Sequence, residues 1–420
     1  MIYILGSGPN GLIAANWVKN YLADKFVIIA SNGNGFQHKS SDTFKFKLGQ
    51  RTLFYTKDMA DFFSEVDICW DRVELTKSNG VYYNGNMYDY PMQNNLSNLS
   101  LSDKLKFYWS YFNKKETKEA DYIHWAISNY GKWFANHILI PHTWKTMKED
   151  LYQVDSQLYG KKVEKLNLFK KSEICSMESA DDIMMQLLGK VCDSVIKGTV
   201  SHIDVKNKTI SFKEEMPRIE YNVSDTIINT ISLNKFGECI DKNDILDIAF
   251  RSLHSNAMFL GVFVVPKDMV KCGYKIIYFP ERSFIFSKVN ITNNNKYAII
   301  TCECSIRNNE LNNFESIPYR EKYLERIEYD LRRCQFLDDT LFSSYHRDYS
   351  IINPAYIIPD KDYKLYNSFI HSYLEDNGIF CLGRFAEWVP WKRVEHSLDR
   401  MKQIFPDNED AKVNFYRKIQ

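Results

Sequence analysis

A strand, a glycine-rich bend and a helix follow one another within the first fifteen residues, Met1-Ile-Tyr-Ile-Leu-Gly6-Ser-Gly8-Pro9-Asn10-Gly11-Leu-Ile-Ala-Ala. Four consecutive apolar residues suit a strand buried on both faces. Gly6 allows the tight turn, Gly8 lets a pyrophosphate approach the backbone, and Gly11 lets the helix pack close to the strand. The start of the helix then turns its free N–H groups and positive dipole end toward the phosphates. This order of elements predicts an α/β unit that binds a dinucleotide.

Lys25-Phe-Val-Ile-Ile-Ala30 reads as the next parallel strand. An acid at its end normally holds the adenosine ribose. Ala30 and Ser31 stand there instead, followed by Asn32-Gly33-Asn34-Gly35, which leaves Ser31 and Asn32 as candidates for the ribose hydroxyls.

With 420 residues the chain has room for two or more packed units. A formal net charge of +1 gives no electrostatic case for nucleic acid or an anionic membrane. No apolar run approaches the ~20 residues that span a bilayer. Aromatic residues are 15% of the chain, enough to line a large ligand cavity as well as a core. The nine cysteines are scattered, apart from Cys302-Glu303-Cys304. Neither these nor His124, His137, His142 and His346 show zinc-ligand spacing, so no metal site is expected. The odd cysteine count, with no signal segment ahead of the first strand, predicts reduced thiols in a cytoplasmic protein.

Farther along, Asn84-Gly85 marks a hairpin, and residues 102–147 turn helical with aromatics at three- and four-residue spacings. Strands are predicted at 198–205, 208–212, 225–232, 257–265, 275–279, 284–289, 297–304 and 378–382. Helices are predicted at 318–334 and from about Arg393 to Ile404. The pieces are interleaved rather than strung in series.

Five segments, in this order, resemble the flavin-binding superfamily that contains amine oxidases, protoporphyrinogen oxidase and UDP-galactopyranose mutase. They are Gly6-x-Gly8-x-x-Gly11, Tyr90-Pro91, the helix Gly131–Lys145, Asp225-Thr-Ile-Ile-Asn-Thr-Ile-Ser232, and Leu382-Gly383-Arg384-Phe-Ala-Glu387-Trp388. Pro354-Ala-Tyr356-Ile-Ile-Pro359 sits where mutase-like members carry a tyrosine-proline segment. The resemblance implies a Rossmann-like FAD-binding domain, a parallel sheet plus a β meander, drawn from residues 1–90, 191–235 and 376–420. It is interleaved with a helical insertion at 91–190 and a mixed-sheet substrate domain at 236–375. It implies that FAD is held by Gly6, Gly8, Pro9, Asn10, Gly11, Ser31, Asn32, Val200, Gly383 and Arg384.

For the chemistry, the resemblance to the mutase implies pyranose–furanose isomerisation of a nucleotide-linked sugar, with reduced flavin as nucleophile, as in polysaccharide biosynthesis. Lys288 would neutralise the diphosphate, Tyr356 would hydrogen-bond it, and Trp388 would pack beside the sugar or flavin. The chain also departs from the mutase. Lys161, Lys162, Lys165 and Lys288 stand where the mutase carries arginines, and Lys392-Arg393 replaces an acidic segment. A second reading is an oxidase acting on a C–N or C–C bond, with Lys145 or Lys288 holding a water near the flavin. A third is a non-catalytic binding protein that keeps the flavin fold. The expected partner is a small-molecule substrate, and a homo-oligomer is open.

Overall fold

The computed structural model describes residues 1–22, 24–31, 38–40, 45–47, 53–74, 78–115, 121–156, 175–177, 180–293, 296–334, 336–337 and 346–406. A five-stranded sheet has the spatial order Val195–Lys197, Phe26–Ala30, Ile2–Leu5, Thr226–Asn229 and Ile379–Cys381. Every pairing in it is parallel, so segments from the start, middle and end of the chain lie side by side. The Met1 amino group pairs with Asp225 at 3.0 Å and pins Ile2–Leu5 against Thr226–Asn229.

Both faces of this sheet are covered, which explains why its strands are almost continuously apolar. Ile4, Ile28 and Ile228 pack under the helices Pro9–Tyr21, Ala180–Val191 and Ser397–Ile404. Tyr3, Leu5, Ile29 and Ile227 face the meander Val200–Asp204, Thr209–Phe212 and Ile219–Glu220, together with the helices Asp244–Arg251 and Tyr363–Asp376. Both helices fall in the segment 236–375 assigned to the substrate domain, apart from Asp376, but their apolar faces are buried on the parallel sheet's side.

The second sheet has seven strands, in the order His346–Ile357, Ser255–Pro266, Tyr297–Ile306, Lys288–Asn293, Ile276–Tyr278, Asn79–Tyr83 and Asn86–Asp89. It is antiparallel except where Ile276–Tyr278 runs parallel to Asn79–Val81. That pairing draws the 79–89 hairpin out of the first 90-residue segment, where it was expected, because the hairpin's backbone completes the mixed sheet's ladder. The predicted strand 284–289 is also corrected. Tyr278 pairs with Lys288, so residues 279–287 form the connecting loop and the strand begins at Lys288. Phe284 and Phe286 bury themselves against Phe279 from that loop, which gives the stretch its strand-like composition.

One face of the mixed sheet is dry: Phe259, Val289, Cys302 and Cys304 pack on Leu324, Ile327 and Leu331 of the helix Ile317–Arg332. The other lies under the helices Leu101–Phe112, Tyr122–Phe134 and Ile140–Met147. All nine cysteines are free thiols. Among the described residues, no helix is long and apolar enough to cross a membrane.

Candidate functional site

The two bends singled out in the sequence touch. Gly6 and Gly383 adopt φ +106° and +99°, a region that excludes most side chains. A Cβ on Gly11 would penetrate the Gly6 carbonyl oxygen, and one on Gly383 would penetrate the Asn10 amide. Ser397 Oγ donates to Asn10 Oδ1 at 2.8 Å, so the C-terminal helix is joined to the first bend as well. The second bend is braced from below. Gly383 N–H donates to Glu387 Oε1 at 2.9 Å, and this buried carboxylate also pairs with Lys392 and lies 3.8 Å from Arg400 Nε.

Gly8 is different. Its φ of −69° and ψ of 177° suit any residue, and a Cβ added there meets nothing within 4 Å. Neither backbone strain nor packing requires glycine at that position. It precedes the helix Pro9–Tyr21 without any side-chain cap, leaving first-turn N–H groups for another acceptor.

The remaining cofactor candidates are distributed around these bends. Ser31 is exposed at the end of the second parallel strand. Asn32 falls outside the described residues, as do Lys161, Lys162 and Lys165. Val200 is buried in the meander opposite Phe212, and Gly198 N–H donates to Ala30 carbonyl at 2.9 Å, bringing the meander to the same strand end. The Arg384 guanidinium lies 5.1 Å from the Phe385 ring. Trp388 is corrected: it is 0% exposed, enclosed by protein alone in the core with Leu5, Leu233 and Phe236. The turn closed by Glu387 N–H to Gly383 carbonyl at 2.8 Å swings it inward, so it does not line the cavity.

That cavity, about 360 Å³, opens between the mixed sheet and the helices over it, and is walled by Tyr90, Tyr122, Phe134, Tyr278, Tyr356 and Phe54 among others. Its polar floor comes from strand register. Glu303 pairs with Lys288 and Lys288 with Tyr278, so all three side chains share the cavity face. Glu303 is 2% exposed; Lys288 Nζ reaches its Oε1 at 2.8 Å, Asn290 Nδ2 donates to the same oxygen at 2.8 Å, and Tyr356 O–H donates to Oε2 at 3.2 Å. The alternating run Ile300-Thr-Cys-Glu-Cys-Ser-Ile306 carried this signal: a carboxylate in a buried strand whose alternate residues are apolar.

His142 also lines the cavity, edge-on to Tyr278 with ring centroids 5.8 Å apart. Burial first, then the nearby Lys145 and Lys288 charges, push it down to about 3, so it is neutral at pH 7. Burial pushes the Tyr278 phenol up to about 12. Lys145 does not face the cavity. It is 3% exposed and donates to the carbonyls of Phe279 at 2.8 Å and Glu281 at 2.9 Å, tying the 279–287 loop to its helix, and burial pushes it down to about 7. Arg393 lines the cavity from the opposite side, its guanidinium 4.0 Å from the centroid of Phe54.

Away from this region, His202, Asp204 and Asp241 bring ligand-type atoms within 4.8 Å of one another, a grouping that spacing did not reveal. His202 and Asp241 are exposed and Asp204 half-buried, and Asp204 already accepts from Asn207 N–H and Nδ2 at 2.7 Å each.

No family model and no curated protein sequence matches this chain. Solved structures do. A reduced UDP-galactopyranose mutase superposes with TM-score 0.81 at 14% identity, over 96% of this chain and 92% of that one. Putrescine oxidase bound to putrescine gives 0.63 at 12% identity over 97% and 98%, and an oxidoreductase from Methanosarcina mazei gives 0.62 at 14% over 95% and 99%. The chain therefore has the mixed α/β fold shared by UDP-galactopyranose mutase and putrescine oxidase, with its two glycine bends in contact.

Proposed function

We propose that this protein is an FAD-dependent enzyme acting on a nucleotide-linked sugar by pyranose–furanose isomerisation. Gly8 carries the cofactor reading. A glycine that neither fold nor packing requires, beside an uncapped helix start and against the Asn10–Gly383 contact, fits a pyrophosphate seated on the backbone. Gly6, Gly8, Pro9, Asn10 and Gly11 would hold that pyrophosphate and Ser31 and Asn32 the ribose, with Val200, Gly383 and Arg384 completing the site. When bound and reduced, FAD supplies the nucleophile that displaces a nucleotide from an anomeric carbon.

The chain's own residues do the rest. Lys288 binds the departing diphosphate as a point charge, and Tyr356 binds it as a hydroxyl donor once its single O–H swings from Glu303 to a phosphate oxygen. Glu303 holds both in place and is a positioning residue. The aromatic walls exclude water, which strengthens those polar contacts. The higher TM-score to the mutase than to putrescine oxidase supports this reading. So does the commitment of Lys145 to two carbonyls, which removes one water-holding candidate of the oxidase reading.

The test is direct. Purified protein should absorb near ~450 nm, and the prereduced enzyme should interconvert UDP-galactopyranose and UDP-galactofuranose with no net redox change. Net substrate oxidation with peroxide release would overturn the isomerase reading in favour of the oxidase.

A further inference from the structure

Resting on that nucleotide-sugar reading, the geometry points to a substrate whose sugar carries a carboxylate, received by Arg393. The argument begins with charge. Lys288 is matched by Glu303, the adjacent Lys392 by Glu387, and His142 is neutral. Arg393 has no such carboxylate among the described residues. The nearest acid in sequence, Glu395, is buried and makes no ion pair with Arg393, whose charge it feels at longer range; its Oε1 accepts from Phe54 N–H at 2.6 Å. Among the described residues the cavity thus holds one guanidinium that makes no ion pair, set over the Phe54 ring. The ring contact holds the guanidinium in the cavity, where its N–H fork suits a planar anion.

Position decides which anion. Arg393 and Phe54 belong to the side of the cavity built on the parallel sheet. Leu53 packs in that sheet's core, and four residues beyond Arg393, Ser397 touches Asn10 of the first bend. Lys288, Tyr278 and Tyr356 belong to the mixed sheet. In an attack by the cofactor on the anomeric carbon, the sugar sits at the end nearer the bends and the diphosphate toward the Lys288 floor. Arg393 therefore meets the sugar. A neutral hexose would leave its charge without a partner, whereas a hexuronate supplies a bidentate acceptor.

The experiment is a binding titration of the flavin-loaded protein with matched pairs: UDP-galactose and UDP-galacturonate, UDP-glucose and UDP-glucuronate, GDP-mannose and GDP-mannuronate, with UDP and GDP alone as references. At least one uronate should bind about tenfold or more tightly than its neutral partner. Arg393→Gln should erase that preference without weakening the neutral sugar or the free nucleotide, and Arg393→Lys should restore part of it. The flavin spectrum reports whether each variant keeps its site. Equal binding of uronates and neutral sugars overturns the inference and leaves the nucleotide-sugar reading standing. Equal weakening of sugars and free nucleotides by Arg393→Gln does the same, by assigning Arg393 to the diphosphate. Failure of every nucleotide and nucleotide sugar to bind overturns that reading and the inference together.

Discussion

The glycine bends and the cavity are built in opposite ways. The bends use backbone: positive φ at Gly6 and Gly383, a close approach at Gly11, and a single side chain, Asn10, at the contact. The cavity uses side chains from both ends of the sequence, joined by register and by one buried carboxylate. A backbone site fails when atoms are added, because nothing can move aside. A side-chain site fails when atoms are removed, because a charge or a carbonyl loses its partner.

The largest effect should come from Gly11→Val. Its Cβ cannot coexist with the Gly6 carbonyl, so the cost is on the order of 4 kcal/mol or more, read as loss of folded protein or a large fall in thermal midpoint. Glu303→Ala removes the partner of a lysine whose side chain is 16% exposed, and should cost ~3–5 kcal/mol in urea unfolding. A cost under ~1 kcal/mol would show that water reaches Lys288 freely.

Lys145→Met removes two hydrogen bonds from the 279–287 loop and should cost ~1–3 kcal/mol at high pH. The sign with pH is opposite to that of a surface lysine in an ion pair. Lys145 is pushed from 10.5 to about 7 in the fold, so the unfolded chain binds more protons between those values. Wild-type stability should therefore gain on Lys145→Met as pH rises from 7 toward 10, and the difference between the two urea midpoints should level off below pH 7. Tyr356→Phe removes one donor to Glu303 and should cost only ~1 kcal/mol.

These two constructions also explain what the sequence disclosed. The first bend was legible because strand, turn and helix are local, and Gly6 and Gly11 are forced by geometry within eleven residues. Gly383-Arg384 was legible for a similar reason, following the short strand Ile379–Cys381 closely. The cavity was not. Glu303 becomes significant only once its strand lies beside Lys288, and the flanking cysteines belong to the opposite, dry face. Phe284 and Phe286 have strand composition because they are buried, although they serve a loop. Trp388 looked exposed to ligand because it follows the bend by five residues, but the Glu387 turn sends it into the core. Arg393 was visible as a change of charge, while its stacking on Phe54, some 340 residues distant, was not.

Gly8 offers the most direct measurement of the central claim, that a dinucleotide fills the space the two bends leave. Gly8→Val has room in the protein itself and a permitted φ, so the apoprotein should unfold within ~0.5 kcal/mol of the wild-type apoprotein. After incubation with FAD and desalting, the wild type should retain the absorbance near ~450 nm and the folded variant should be colourless. A Gly8→Val protein that stays as yellow as the wild type, or a folded wild type that never takes up FAD, would contradict the account.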